Sequence, residues 1–134
     1  MTVSRPSLEV LAGVYAIHRL EPDAPLPAGL ERARFCWIGR TDEELSIVCD
    51  AAIEGVSAAP SRDWTVLRVL GPLPLSLTGV LAGLAAVLAE VRVSVFAVST
   101  YDTDYLLVPA GELDRARYAL ALAGYRIRAR RPAQ

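Results

Sequence analysis

The chain repeats itself. Tyr15-Ala-Ile-His-Arg-Leu20 followed by Pro22 returns 50 residues later as Thr65-Val-Leu-Arg-Val-Leu70 followed by Pro72, and Gly29 returns as Gly79. Trp37-Ile-Gly-Arg-Thr41 with Leu45-Ser-Ile-Val48 parallels Phe96-Ala-Val-Ser-Thr100 with Tyr105-Leu-Leu-Val108, now at an offset of 59 to 60. The second copy therefore carries about ten extra residues where the first has only Leu30 to Ala33. Self-similarity of this kind means two versions of one supersecondary unit. At 134 residues the chain holds one ordinary domain or two very small ones packed together.

The second copy shows what the unit is. Trp64 to Leu70 has the β-branched and apolar content of a buried strand, and Gly71-Pro72-Leu73-Pro74 ends it, because proline cannot continue sheet pairing. A helix follows, with Ser76 or Thr78 as N-cap and Leu77, Leu81, Leu84, Leu88 and Val91 at helical spacing. Its other face is small, with Gly79, Ala82, Gly83, Ala86 and Ala89, so a second helix can approach it closely. Val93–Val98 and Tyr105–Val108 read as two strands joined by the polar knot Ser99-Thr100-Tyr101-Asp102-Thr103-Asp104. A second helix runs from Glu112 to Ala123, with Glu112 and Asp114 at the positive end of its dipole and Gly124 beyond its end. Tyr125 to Arg130 closes as a strand. The order is β-α-β-β-α-β, the split βαβ of ferredoxin-like folds.

The first copy is a reduced version: a strand at Tyr15–Leu20, a proline-rich crossover, at most a short helix at Ala28–Ala33, and a hairpin of Phe35–Arg40 with Leu45–Cys49. Its turn at Asp42-Glu43 sets Cys36 opposite Cys49. The chain thus divides into a reduced N-terminal repeat, residues 1–62, and a complete C-terminal repeat, residues 63–134. The fold class is α+β, with antiparallel sheets carrying helices on one face.

Composition narrows the function. The chain is 53% hydrophobic and 22% charged, which suits a globular protein, and its net charge of −1 gives no global attraction to nucleic acid or anionic membrane. All 14 basic side chains are arginine, which reads as GC-rich coding and a bacterial source. The N-terminus has no secretory pattern, and two cysteines are too few for a disulfide scaffold, so a cytoplasmic setting is expected. Leu73–Ala89 is almost uncharged and contains a GxxxG at Gly79–Gly83, yet it is marginally short for a membrane span and has no basic flanks.

The catalytic inventory is poor. His18, the single histidine, lies inside a strand pattern with no nucleophile elbow nearby, and both cysteines sit in apolar strands where a thiol is inert. Asp102-Thr103-Asp104 resembles a hard-cation loop but lacks the further oxygen ligands and the glycine turn, and these residues are also good turn formers. Gly71 to Gly79 brings free N–H groups of a helix N-terminus to a sheet edge, where a carboxylate or phosphate can bind; an ordinary βα connection fits the spacing equally well. The stripe Arg126, Arg128, Arg130, Arg131 lacks aromatic interleaving and reads as a solvated strand face before an RNA or DNA surface.

Together, the βαββαβ order, GPLPLSLTGVLAGLAAVLAE and VSVFAVSTYDTDYLLV resemble the ACT domain family. The likeness extends to its stand-alone bacterial tandem proteins, which are similar to the CASTOR-type arginine sensors. It spans nearly the whole chain and is most specific over residues 64–110. What the resemblance implies is a regulatory module without catalysis, metal or cofactor, binding an amino acid or similar small effector where two ACT domains meet. It places Leu75, Ser76, Leu77, Thr78 and Gly79 in the loop that grips the effector's head group. Ser94 and Val95 take the strand contact, and Asp104 the acidic position facing a basic side chain. Two chains would supply four repeats, so a homodimer is expected. A competing reading is a ligand-free interaction module with Tyr101 and Asp102 of the exposed turn as the partner contact.

Overall fold

The computed structural model describes residues 5–129. Eight strands and two α-helices occur in the order β1 (Leu8–Val10), β2 (Tyr15–Leu20), β3 (Cys36–Arg40), β4 (Leu45–Asp50), β5 (Ser61–Val69), α1 (Val80–Glu90), β6 (Phe96–Ser99), β7 (Asp104–Pro109), α2 (Leu113–Leu122) and β8 (Ile127–Ala129). Short 3₁₀ turns occupy Leu30–Arg32 and Ala110–Glu112. Arg130 and Arg131 of the arginine stripe lie outside the described residues. The described residues form two compact units, residues 13–64 and residues 5–12 with 65–129. The fold is the α+β, ferredoxin-like class expected from the repeat.

In the smaller unit, β3, β4, β2 and the first half of β5 pair in that order, all antiparallel. Cys36 stands directly opposite Cys49, the register expected from a turn at Asp42-Glu43, and both thiols are free. Alternation decides the core: Leu45, Ile47 and Cys49 point to one side and pack with Leu30 and Val56. On the other side Tyr15 meets Phe35 edge to face, ring centroids 5.8 Å apart. A β-bulge interrupts the β2–β5 ladder between Tyr15↔Trp64 and Ile17↔Ser61, and Asp63 takes φ 64° there.

In the larger unit the sheet order is β8-β1-β5-β7-β6. The hydrophobic pattern gave no sign of β1, because three residues with a charge in the middle carry no usable period. Glu9 explains its place. It is paired with Arg68 of β5 on one side and Arg128 of β8 on the other, and its carboxylate, 8% exposed, lies 3.9 Å and 3.3 Å from the two guanidinium groups. One arginine of the expected solvated stripe therefore serves the sheet.

Both helices cover this sheet through a core that includes Leu8, Leu67, Val69, Leu84, Leu88, Leu106, Val108, Ala116 and Leu120. Helix α1 starts later than its leucine spacing implies. Gly79, at φ 85°, is its N-cap, and neither Ser76 nor Thr78 caps it. Leu77 stays outside the helix and is 43% exposed, while Val80, Leu84 and Leu88 form the buried stripe. At Gly83 of the small face the neighbour is the Tyr125 hydroxyl, from the segment between α2 and β8 and not from a helix, and a Cβ there would lie 2.9 Å from it. Helix α2 ends before Gly124, which adopts φ 97° as expected of a C-cap glycine. Among the described residues no helix is long and apolar enough to cross a membrane.

Candidate functional site

Two segments of the larger unit converge on one cleft. After β5 the chain needs ten residues to reach α1, and prolines 72 and 74 keep that stretch out of regular structure. Leu77 N–H donates to the Pro74 carbonyl at 3.0 Å, so the loop folds into a turn that lifts Leu75 and Ser76 into solvent. From the opposite side, the β6–β7 hairpin delivers Ser99 to Asp104. Its turn closes where Thr100 N–H donates to the Thr103 carbonyl at 2.8 Å.

Two hydrogen bonds clamp these segments together. The Thr103 side chain, 4% exposed, donates from its hydroxyl to the carbonyl of Val69 at 2.7 Å. Leu73 N–H donates to the Asp102 carbonyl, also at 2.7 Å. The approach needs a glycine at position 71, since a Cβ there would sit 2.9 Å from the Leu73 nitrogen and 3.2 Å from the Asp102 oxygen.

Between the clamped segments lies a cavity of about 300 Å³, lined by Leu73 to Leu75, Leu77, Gly79 to Ala82, and Ser99 to Asp104. That is the scale of a small metabolite. Within it, Asp104 accepts a hydrogen bond from the Ser99 hydroxyl at 2.6 Å through one carboxylate oxygen. The two side chains face each other because Ser99 and Asp104 are the last cross-strand pair of the hairpin. At the mouth, Leu75 is 72% and Tyr101 80% exposed, an uncommon apolar rim.

Of the residues singled out from the sequence, Leu75, Leu77, Gly79, Tyr101, Asp102 and Asp104 line this cleft. Ser76 and Thr78 sit in the same loop with exposed side chains. Ser94 and Val95 precede β6 and do not line it; Ser94 is exposed, and Val95 packs against the core of the helix face. Leu73, Pro74, Ser99, Thr100 and Thr103 join the lining as additions. Ser99, Thr100 and Thr103 belong to the polar knot visible in the sequence, and Leu73 and Pro74 to the loop before α1.

The remaining titratable candidates belong to the smaller unit. His18 is buried, its Nδ1 2.7 Å from the Ser57 hydroxyl, and burial followed by the charge of Arg62 pulls its pKa below the usual histidine value. Burial also pushes the Cys49 thiol up to about 11, helped by Cys36 and Asp50, and raises Cys36 as well. These shifts disfavour a cationic base and thiolate nucleophiles near neutral pH. Among the described residues no group of three His, Cys, Asp or Glu side chains is placed to hold a metal ion.

Comparison with known proteins adds independent findings. The family model of the ACT domain matches residues 60–121, and a second model, described as an N-terminal domain, matches residues 13–56. The human protein CASTOR3P is 29% identical over 105 residues, 67% of this chain and 63% of that protein, so the match spans less than two thirds of the relative. The crystal structure of Atu0741 from Agrobacterium tumefaciens is 31% identical and covers 98% of both chains with a TM-score of 0.89. The regulatory subunit of aspartate kinase from Thermus thermophilus, ligand-free, shares the fold at 17% identity and TM-score 0.58, covering 84% of this chain and 93% of its own.

Proposed function

We propose that this chain, whose residues 60–121 match the ACT domain model, senses an amino acid or similar small effector and catalyses no reaction. The observation that carries this reading is the cleft itself. The hairpin tip and the loop before α1, far apart in sequence, are clamped around a metabolite-sized space.

The chemistry of the lining favours a zwitterion with a basic tail. Backbone N–H groups at the start of α1 suit a carboxylate, since the first turn of a helix leaves donors unsatisfied. Asp104 has one carboxylate oxygen engaged by Ser99, and its charge suits a cationic group through a charge-assisted hydrogen bond. The cleft opens to solvent past Leu75, Leu77 and Tyr101, so a second chain closing over that rim would complete it, with Ser94 and Val95 contributed by the partner. The working form is then a cytoplasmic homodimer of bacterial origin, with neither nucleic acid nor membrane as a partner.

Thermal-shift screening against the twenty amino acids and common nucleotides tests the reading. A specific effector in large excess raises the melting temperature by several degrees. Asp104→Ala then weakens a basic effector far more than a neutral one; equal loss for both removes Asp104 as the selector of the side chain. One observation favours a second reading. Tyr101, the most exposed large hydrophobic residue at the cleft, also suits a protein partner contacting Tyr101 and Asp102. Silence from every compound at millimolar concentration, with a partner lost on Tyr101→Ser, would establish that interaction module instead.

A further inference from the structure

The two hairpins share one pairing register around their turns. In the smaller unit the ladder runs from Cys36↔Cys49 through Trp37↔Val48 to Arg40↔Leu45, and its turn closes with Thr41 N–H donating to the Glu44 carbonyl at 2.9 Å. In the larger unit Phe96↔Leu107 leads to Ser99↔Asp104, and the turn closes in the same way from Thr100 to Thr103. Arg40 thus stands where Ser99 stands, and Leu45 where Asp104 stands. The preceding loops also correspond. Each ends at a glycine in the left-handed region that caps the following helical turn, Gly29 at φ 96° and Gly79 at φ 85°.

The contents of the two sites differ in a reciprocal manner. In the larger unit the hairpin offers a small hydroxyl and a carboxylate, Ser99 and Asp104, beside a cavity. In the smaller unit it offers a guanidinium and a fully buried leucine. The Arg40 guanidinium crosses from the hairpin to the loop, donating through Nη1 to the Pro22 carbonyl and through Nη2 to the Ala24 carbonyl at 2.9 Å. Those two carbonyls precede Gly29 as Pro72 and Pro74 precede Gly79. A planar fork of donors is suited to bridging two acceptors, which a point charge on a flexible stem does less well.

We propose that the first repeat retains the counterpart of the effector cleft as a guanidinium site and that the exposed Arg40 of the same chain occupies it, leaving one of the two corresponding clefts open to an effector. The count of one rests on the effector reading above; the occupation by Arg40 does not. The site accepts planar cations of the guanidinium class, because its ligands are carbonyl oxygens of the loop and carry no formal charge. Removing the side chain vacates a place that a free guanidinium compound can take.

Arg40→Ala in the full chain, melted with and without millimolar methylguanidine at constant ionic strength, reads this directly. The variant loses about 2–4 °C of melting temperature, as expected for two solvent-screened hydrogen bonds from a charged donor at an exposed site. Methylguanidine restores a saturable part of that loss and leaves the wild-type chain unmoved. Arg40→Lys recovers less than half. Equal melting of Arg40→Ala and wild type, or equal response of both to methylguanidine, overturns the proposal. Should Arg40→Ala fail to fold, side-chain nitrogen NMR of the wild-type chain decides. Distinct Nη resonances for Arg40, assigned through Arg40→Lys, support a held guanidinium, and full averaging refutes it. No effector is present in either experiment, so a failure here and a failure of the effector reading are told apart.

Discussion

Replacing Thr103 by valine removes one hydroxyl and keeps the shape of the side chain. The native hydroxyl is buried and donates to the Val69 carbonyl at 2.7 Å, joining the hairpin tip to the end of β5. Losing an ordinary intramolecular hydrogen bond costs about 0.5–1.5 kcal/mol, and setting a methyl group against a buried carbonyl adds the desolvation of that oxygen. A total near 2 kcal/mol follows. With an unfolding entropy of about 2.1 cal/mol/K per residue, 2 kcal/mol corresponds to a loss of about 7 °C for a chain of 134 residues. Thr100→Val is the control. Its hydroxyl lies on the exposed tip and donates to the Thr103 carbonyl at 3.1 Å, so its loss costs less than about 0.5 kcal/mol, or under about 2 °C. Thermal denaturation followed by circular dichroism measures both. Equal melting temperatures for the two variants would refute the claim that Thr103 clamps the cleft.

Other consequences test separate parts of the structure. Glu9→Gln removes the charge that joins Arg68 and Arg128 across β1, and the exposure of Arg128 limits the loss to about 1–2 kcal/mol in urea denaturation; no loss would show that β1 is held by its apolar residues alone. The raised Cys49 thiol favours its protonated form in the fold, so stability is fully present below about pH 9 and declines as pH rises toward about 11. That decline, as much as about 2 kcal/mol, is smaller in Cys49→Ala, in which the raised Cys36 thiol still contributes over the same window. His18 has the opposite dependence: its lowered pKa keeps it neutral in the fold, so stability is present above about 6.5 and is lost as pH falls. His18→Gln melts independently of pH in that range if the assignment is right.

The sequence was informative where a period or a turn signal was long enough to read. Leu84 and Leu88 fall on the buried face their spacing implies, and the Cys36↔Cys49 pairing followed from counting outward from one turn. Helix α1 begins later than the sequence implies because Ser76 and Thr78 are good capping residues by type, whereas Gly79 supplies the left-handed backbone at the entry to the helix. Strand β1 left no trace because its identity depends on two distant arginines that pair with Glu9 only after folding. In the site, the residue types of the loop and of the polar knot were visible. What joins them into one cleft, the Thr103 to Val69 bond and the missing side chain at Gly71, is tertiary and has no local pattern.

The central claim is that the cleft between the loop before α1 and the β6–β7 turn is where the effector binds. A ¹H–¹⁵N NMR titration of the full chain with the compound that most raises its melting temperature tests this at residue level. The account predicts saturable amide shifts clustered at Leu73 to Ala82 and Ser99 to Asp104, and their loss in Asp104→Ala for a basic compound. Saturable binding whose shifts fall elsewhere, with those two segments unmoved, would contradict it.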